Sequence, residues 1–421
     1  MSTSILFTNA LLIDGRGRAA VRGANVLVEG QSIKTVSPSP LEVPPEVKRI
    51  DLGGRALLPG LIDAHVHIVI TPDIAKLLSG GGFPPAVIHA IQVKDALEKT
   101  LAAGFTTVRD AGGATQEIRE AVEQGYINGP RLLLSCGVLS QTGGHGDFTP
   151  SRGSSGYGMT SWGIGSQSAV CDGVPDVIKA ARQQLKNGAD WIKVMAGGGV
   201  MSPHDPLEAV QFTPDELRAA VDVAKSAGKE VMAHCHSPAA IRHAVLAGVR
   251  SIEHGTFITE ELLELMAERG CALIPTLTVM SAFDPAGGGA NLPETQKRKM
   301  AEAVARAGAC MRLALANHDK IQVGSGTDAF GGAMQGKNGE ELGWKAQMGL
   351  SPMDAIVSAT KVNAEIFGLA DKLGTIAAGK WADMIVVDGN PLDDVRLFAQ
   401  PDKVVMVMKE GKVLKDLLAS A

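Results

Sequence analysis

The sequence lacks the features of secreted and membrane-spanning proteins. Its five cysteines are odd in number and form no C-x-x-C pair, so neither a disulfide framework nor a thiolate zinc site is expected. No run of about 18 apolar residues is available to cross a membrane. The first residues also lack the basic region that begins a signal peptide. These absences predict a protein of a reducing compartment, the cytoplasm.

Neither positive nor negative charge is in large excess, and aromatic residues are scarce. The chain has 40 Lys and Arg against 45 Asp and Glu, and no long basic run, so binding to nucleic acid or to an anionic membrane surface is not expected. Aromatic residues make up only 4%, which is too few for a base-stacking platform. Glycine is in excess, with 50 of 421 residues, and predicts many tight loops.

The two ends of the chain are rich in short strand patterns. Residues 1–56 and 375–421 contain apolar runs separated by turn pairs such as Asp14-Gly15 and Glu410-Gly411. Because both ends have this pattern and flank a long middle, we expect them to pair into one small sheet domain.

The middle, residues 57–374, alternates apolar runs with helical patterns. The candidate strands are Leu57–Ile62, Phe105–Val108, Arg131–Ser135, Trp191–Met195, Glu230–Ala233, Ser251–Ile252, Ala272–Pro275 and Ile321–Val323. Eight strands alternating with helices predict an α/β protein with a (β/α)8 TIM barrel. The alternative is a doubly wound open sheet, which usually carries a glycine-rich fingerprint that is missing after the first strand.

Histidine and aspartate side chains follow these apolar strands. His65 and His67 lie two residues apart, so in an extended chain they point to the same side. His234, His254 and Asp328 each stand at the end of another candidate strand. Barrel enzymes build their sites at the carboxyl ends of the strands. The pattern therefore predicts one site that collects all five side chains.

Lys193 interrupts the apolar strand Trp191–Met195. A buried ammonium is costly unless it is paired. One interpretation is a salt bridge to a carboxylate. The other is a lysine that has reacted with carbon dioxide, since the resulting carbamate is an anion that can bridge two divalent ions. Imidazoles with oxygen anions suit zinc, with manganese or cobalt as substitutes.

These residues and three longer motifs resemble the metal-dependent amidohydrolase superfamily, over nearly the whole chain. The motifs are Asn9-Ala-Leu-Leu-Ile-Asp-Gly, Leu58-Pro-Gly-Leu-Ile-Asp-Ala-His-Val-His and Leu373-Gly-Thr-Ile-Ala-Ala-Gly-Lys-Trp-Ala-Asp-Met. The resemblance implies that the two chain ends form a β-sandwich. It also implies two metal ions, one held by His65, His67, Lys193 and Asp328, the other by carboxylated Lys193, His234 and His254.

Further stretches are similar to the prolidase and ochratoxinase branch of that superfamily. They include Phe105-Thr-Thr-Val-Arg-Asp-Ala-Gly-Gly and Gly143-Gly-His-Gly-Asp147. The branch implies hydrolysis of a small-molecule amide that releases a C-terminal amino acid, with Asp328 carrying the proton to the leaving amine. It also implies a homo-oligomer, such as an octamer. A mononuclear deaminase or cyclic amide hydrolase, and a scaffold without catalysis, are the alternatives.

The sequence identifies the residues that contact the substrate less clearly than the metal ligands. His145 is a candidate for binding the substrate or its oxyanion, or a turn histidine bonded to Asp147. His236 lies two residues after His234 and either could be the ligand; we assign His234, so His236 becomes a substrate contact. Arg152 or His236 could hold the substrate carboxylate, and His204 is interpreted as a loop residue. The glycine-rich loops at 79–85 and 283–289 suggest apolar lids.

Overall fold

The strands are short and spread along the whole chain. A computed structural model describes residues 4–73, 76–77, 82–148, 163–202, 205–282 and 292–418. The strands are β1 Ser4–Leu12, β2 Val21–Glu29, β3 Ser32–Ser37, β4 Lys48–Asp51, β5 Ala56–Pro59, β6 Leu61–Val66, β7 Phe105–Asp110, β8 Arg131–Leu134, β9 Leu139–Ser140, β10 Ala169–Val170, β11 Trp191–Met195, β12 Glu230–Cys235, β13 Ser251–His254, β14 Ala272–Ile274, β15 Met384–Val387, β16 Val404–Lys409 and β17 Lys412–Asp416.

Helices occupy most of the connections in the middle of the chain. They are α1 Ala86–Ala102, α2 Gln116–Glu123, α3 Val174–Lys186, α4 Pro214–Ser226, α5 Pro238–Ala247, α6 Glu260–Arg269, α7 Leu277–Ala282, α8 Glu294–Ala316, α9 Glu340–Gln347, α10 Pro352–Val357 and α11 Asn363–Ile366. α4 begins at a strong local signal: Thr213 and Glu216 form a reciprocal capping box around its first turn. Among the described residues, no helix is both long and apolar enough to span a bilayer.

The two ends of the chain share one mixed sheet. Its strand order is β17-β16-β15-β5-β1-β2-β3, with β4 beside β1. β15, from the C-terminal end, pairs antiparallel with β5, and β5 pairs parallel with β1. Buried side chains such as Phe7, Val26 and Met384 form a core on this sheet. Strands from both ends therefore lie in one sheet, while a separate β-sandwich domain built from residues 1–56 and 375–421 stays a prediction.

The middle of the chain forms two parallel sheets. One has the order β6-β7-β8 and the other β10-β9-β11-β12-β13-β14. Isolated parallel bridges join Val66 to Ala329 and Leu273 to Val323. The parallel strands and their connecting helices confirm the α/β class. Parallel strands that are covered on both faces are typically continuous apolar runs, as β14 is here, whereas β11 carries Lys193 in its middle.

The first candidate strand of the middle, Leu57–Ile62, is wrong as a single element. Its first half is β5, in which Leu57 pairs with Val386 of the end sheet, and its second half belongs to β6. The chain changes sheets at Gly60, where a Cβ atom would lie 2.2 Å from Thr106 Oγ1. Only glycine fits this close approach. The last candidate strand, Ile321–Val323, is reduced to the single bridge at Val323.

Candidate metal centre

The sheet geometry collects the predicted ligands in one cavity. His65, Lys193, His234 and His254 lie on β6, β11, β12 and β13, respectively. His67 follows β6 directly, and Asp328 lies between the bridged residues Val323 and Ala329. All six side chains line the same cavity, together with His145 and His236. The strand-end pattern in the sequence therefore identified side chains that meet in space.

Asp328 lies among three of the histidines. Its Oδ1 is 3.3 Å from His67 Nε2 and 3.5 Å from His65 Nε2, and its Oδ2 is 4.0 Å from His254 Nδ1. Burial opposes ionisation, but the neighbouring histidines outweigh it and lower the pKa of the Asp328 carboxyl below its ordinary value. Asp328 is thus a carboxylate whose oxygens face the cavity, the form that a divalent ion binds.

Two of these residues adopt a backbone conformation that is uncommon outside glycine. The φ angle is 70° at His254 and 54° at Asp328, and Thr276, which is hydrogen-bonded to His254, has a φ of 50°. Left-handed conformations of this kind cost of order 1–3 kcal/mol each and cluster at functional sites. The fold therefore holds these side chains at some cost in backbone energy.

Hydrogen bonds at the far ring nitrogens orient the histidines. His65 donates from Nδ1 to Glu253 at 2.6 Å, and His67 donates from Nδ1 to the carbonyl of Gly112 at 2.9 Å. In its neutral form each ring then keeps a lone pair on Nε2, the nitrogen nearer Asp328, and in His67 the Asp328 carboxylate outweighs burial and raises the pKa. Partners of this kind fix the tautomer and direction of metal-ligating histidines.

His234 is oriented in the opposite sense. Its Nε2 donates to the carbonyl of Gly198 at 3.2 Å, which leaves the lone pair on Nδ1. Burial first, and then the neighbouring rings, hold the pKa of His234 and His254 well below the ordinary histidine value. Neutral imidazoles of this kind are the form that coordinates metals.

Lys193 is buried beside these rings. Its side chain is 1% exposed and its Nζ lies 3.5 Å from His65 Nε2. Burial lowers the pKa of the ammonium to about 8. No carboxylate of the described residues forms an ion pair with Lys193 within 4.0 Å. Glu253 and Asp328 act on Lys193 through their charges and partly oppose the lowering of its pKa, but no direct salt bridge to it forms within the described part of the chain.

The donor set fits a divalent ion. His65, His254 and Asp328 each offer a ligand atom, and these atoms lie within 4.8 Å of one another. Imidazole nitrogens with a carboxylate oxygen are typical zinc ligands.

Sequence reasoning missed the ion pair below the cavity. Glu253 is fully buried and accepts hydrogen bonds from Arg109 Nη2 at 2.8 Å, from Ser251 Oγ at 2.6 Å and from His65. Burial opposes ionisation of Glu253, but Arg109 and His65 lower its pKa to about 2. The Arg109 guanidinium carbon also lies 4.5 Å above the ring of Trp191. The signal was present, since Arg109 and Glu253 are charged residues inside apolar strands.

His145 and His236 flank the ligand rings. His145 stacks on His234 with 4.1 Å between ring centroids, and its Nδ1 is 2.8 Å from Ser202 Oγ. His236 stacks on His254 at 5.1 Å. Burial lowers the pKa of His145 to about 4 and of His236 to about 3. Both rings are therefore neutral at pH 7 and able to offer one N–H and one lone pair.

A buried lysine supports the loop beside His145. Lys299, on α8, donates to the carbonyls of Gly199 and Ser202 at 2.8 Å each. Its Nζ lies 3.9 Å from Asp205 Oδ1, an atom without a hydrogen-bond partner among the described residues. The Oδ2 of Asp205 accepts from the Gly199 N–H at 2.9 Å. Lys299 and Asp205 thus fix the loop that carries the Ser202 hydroxyl to His145.

Some sequence candidates lie outside the described residues. These are Arg152, His204, residues 79–81 of the first glycine-rich loop and residues 283–289 of the second.

Comparison with known proteins identifies the family of this chain. A sequence model of the Amidohydrolase family matches residues 56–414. The chain belongs to this family. It is 34% identical to the ochratoxinase of Aspergillus niger over 420 residues, which cover 96% of this chain and 85% of that protein. The crystal structure of A. niger ochratoxinase matches with a TM-score of 0.83 and 29% identity, covering 99% and 96% of the two chains.

Two further solved structures are also similar to this chain. A prolidase in complex with N-methylphosphonate-L-proline has a TM-score of 0.90 and 35% identity, covering 98% of this chain and all of that one. A Xaa-Pro dipeptidase with methionine bound in its active site has a TM-score of 0.87 and 31% identity, with coverage of 98% and 100%. These relatives confirm the resemblance to the prolidase and ochratoxinase branch, and the chain is a hydrolase that acts on amide bonds.

Proposed function

We propose that this amidohydrolase uses two divalent metal ions to release a C-terminal amino acid from an N-acyl amino acid or a dipeptide. Ochratoxin A and X-Pro dipeptides are the substrates suggested by the names of its relatives. The observation that carries the proposal is Lys193, buried without a carboxylate partner among the described residues and 3.5 Å from His65 Nε2. The mononuclear deaminases considered above usually lack a lysine on this strand.

The ligands divide into two sets that share Lys193. His65, His67, Lys193 and Asp328 would hold one ion, and Lys193, His234 and His254 the other. In this proposal the Lys193 ammonium first loses one proton, and the neutral amine then forms a bond to the carbon of carbon dioxide and releases a second proton, so the cation becomes a carboxylate-like anion. Zinc suits this mixture of imidazole and oxygen ligands. When bound, such ions polarise an amide carbonyl and lower the pKa of water.

The protein groups perform the remaining steps. Asp328, held as a carboxylate, accepts a proton from the attacking water and delivers it to the leaving amine. Glu253 keeps His65 in one tautomer, and Arg109 neutralises Glu253. The N–H of His145 or His236 would donate to the oxyanion of the reacting amide.

We also propose that the two parallel sheets are parts of one closed barrel within residues 57–374, which begins at β6 because residues 57–59 belong to β5 of the end sheet. The bridges at Val323 and Ala329 and the hydrogen bond from Asp190 N to Leu134 O connect their edges. Residues 1–56 and 375–421 would form the separate β-sandwich domain. A homo-oligomer stays a prediction that the mass in solution checks.

Activity screening tests the reaction. Purified protein is incubated with acyl-amino acids, X-Pro dipeptides and ochratoxin A, and the products are identified by mass spectrometry. Release of the C-terminal amino acid is expected. If metal-loaded protein hydrolyses none of these substrates, the proposed reaction is rejected.

Metal content and bicarbonate test the centre. Elemental analysis should find about two ions per chain in the wild type and fewer in Lys193→Ala, because the shared anion is lost. Metal added to stripped protein should restore activity faster with bicarbonate present. The opposite result would be full metal content in Lys193→Ala together with a reactivation rate that does not depend on bicarbonate. Lys193 would then be a structural residue, and the mononuclear alternative would be favoured.

A further inference from the structure

Asp63 is a buried carboxylate that belongs to neither set of candidate metal ligands. It lies on β6, two residues before His65, and is 1% exposed. Its Oδ1 accepts from the backbone N–H of His65 at 3.0 Å and from that of Thr327 at 3.1 Å. Its Oδ2 accepts from Thr327 Oγ1 and from Asn338 Nδ2, each at 2.7 Å. A buried carboxylate is stable only with such donors, and here they fix its direction.

The donors include the two chain segments that carry His65 and Asp328. These segments are in direct contact, because the Asp328 N–H donates to the His65 carbonyl at 2.7 Å. A Cβ atom at Gly326 would lie 2.8 Å from the Cβ atom of His65. Asp63 accepts from a backbone N–H on each side of this contact. Its carboxylate therefore joins the two segments.

Thr327 extends the effect of Asp63 to both sides of Asp328. The Thr327 hydroxyl donates to Asp63 and accepts from the N–H of Ala329 at 3.2 Å. Asp63 thus holds the residue before Asp328 directly and, through this hydroxyl, the residue after it. Asp328 has a φ of 54°, a conformation that persists outside glycine only where the surrounding structure imposes it. The hydrogen bonds at Asp63 are contacts of this kind.

We propose that Asp63 is a positioning residue of the metal centre, whose carboxylate holds His65 and Asp328 at the separation at which both bind one ion. His65 Nε2 and Asp328 Oδ1 are 3.5 Å apart. This inference rests on the proposed function for the assignment of both residues as ligands. It goes beyond that function by naming a residue that acts through the ligands.

Two conservative substitutions test the role of Asp63. Asp63→Asn keeps Oδ1 for the two backbone N–H groups but turns a donor towards the Thr327 hydroxyl. Thr327→Val keeps the shape of the side chain and removes the hydroxyl. Each should weaken zinc binding by about tenfold or more, because partners that orient metal ligands typically contribute about 10–100-fold to metal affinity. Competition for zinc with a chelator of known affinity, at constant bicarbonate, measures the effect.

Two control variants carry the same chemical changes away from the centre. Asp383→Asn alters a buried carboxylate that accepts from Arg131, beside the end sheet. Thr100→Val alters a buried hydroxyl of α1 that has no hydrogen-bond partner among the described residues. Both should keep the wild-type zinc affinity, although Asp383→Asn lowers the stability of the fold. Urea unfolding measures the stability that each variant loses and identifies the folded ones.

A double-mutant cycle separates positioning from a general loss of stability. Without the Asp328 carboxylate, the position that Thr327 sets no longer carries a ligand. In an Asp328→Ala background, Thr327→Val should therefore change zinc affinity by less than about twofold, against about tenfold in the wild type. A general loss of stability would weaken zinc binding equally in both backgrounds.

The outcomes keep this inference apart from the proposed function. Wild-type zinc affinity in both folded variants, or equal losses in the two backgrounds of the cycle, would overturn the positioning role. The expected zinc affinities in a protein that hydrolyses no N-acyl amino acid or dipeptide would uphold that role and reject the proposed reaction.

Discussion

Asp328 is the residue on which both parts of the proposed chemistry depend. Its carboxylate lies within 3.5 Å of a ring nitrogen of His65 and of His67, and its backbone is held at a φ of 54°. A carboxylate in this position can bind an ion and carry a proton. Replacing the carboxylate by an amide separates the two roles, because the amide keeps an oxygen that can bind an ion but does not accept a proton.

We predict that Asp328→Asn retains the fold and much of the metal but loses at least about 100-fold in kcat/KM, the usual contribution of a general acid–base group. Steady-state kinetics with elemental analysis measure both effects. Asp222→Asn, exposed on α4, is the matched control and should match the wild type. Near wild-type turnover in a metal-loaded Asp328→Asn variant would assign proton transfer to another group.

The sequence predicted the residues that face the cavity better than those beneath it. A histidine at a strand end and a lysine inside an apolar strand are visible as single exceptions to a pattern. Glu253 and Arg109 are exceptions of the same kind, but their meaning depends on a contact between residues 144 positions apart. A single sequence does not show which distant residues pair, so the Glu253–Arg109 ion pair that supports His65 was found only in the structure.

At the scale of elements, α8 contributes to the site from outside the parallel sheets. Lys299 reaches from this helix to two carbonyls of the loop at 199–202, and the next residue, Met300, lines the cavity. The helix therefore sets the position of Ser202 and, through it, the ring of His145. A charged residue on a long helix gives no sign of this role in the sequence.

We predict that Lys299→Met destabilises the protein by about 2–3 kcal/mol, because two buried carbonyls lose their donor and Asp205 loses its cation. In the folded fraction, kcat/KM should fall about tenfold as the support of His145 weakens. Urea unfolding and steady-state kinetics provide the two measurements. Arg298→Met, exposed on the same helix, is the control. Unchanged stability in Lys299→Met would mean that the loop does not depend on this ammonium.

Element boundaries were predicted well where an apolar run is interrupted by a strong signal. β11 has the predicted bounds, Trp191–Met195, and the polar residue Asp190 directly precedes it. The run at 57–62 is continuous and apolar across Gly60, so nothing local separates β5 from β6. The division comes from tertiary pairing with Val386 and Phe105, which a local pattern does not contain.

At the scale of the whole molecule, ion pairs join the end sheet to the middle of the chain. Arg131 at the start of β8 donates to Asp383 at 2.8 Å and to Glu410 at 2.7 Å, and its guanidinium carbon lies 4.5 Å above the Trp381 ring. The three partners come from the C-terminal part of the chain. Arg131 therefore connects two regions that the sequence places about 250 residues apart.

We predict that Arg131→Met lowers the free energy of unfolding by about 2–4 kcal/mol, because Asp383 is left buried without its cation. Arg396→Met is the matched control: it removes an exposed ion pair with Asp394 and should leave the free energy of unfolding close to that of the wild type. Chemical unfolding measures both. Equal stability of the two variants would mean that the pair does not hold the end sheet to the middle.

The strand order of the end sheet has a consequence for synthesis on the ribosome. One edge of β5 is covered by β15, and the paired residues Pro59 and Met384 are about 325 positions apart. At about 5–20 residues per second, β5 waits on the order of 15–65 s for this partner to be translated. During that time it presents an unpaired apolar edge, the kind of surface to which chaperones bind and at which nascent chains aggregate. The yield of active protein should therefore depend strongly on translation speed and on the supply of chaperones, even if the finished fold is stable.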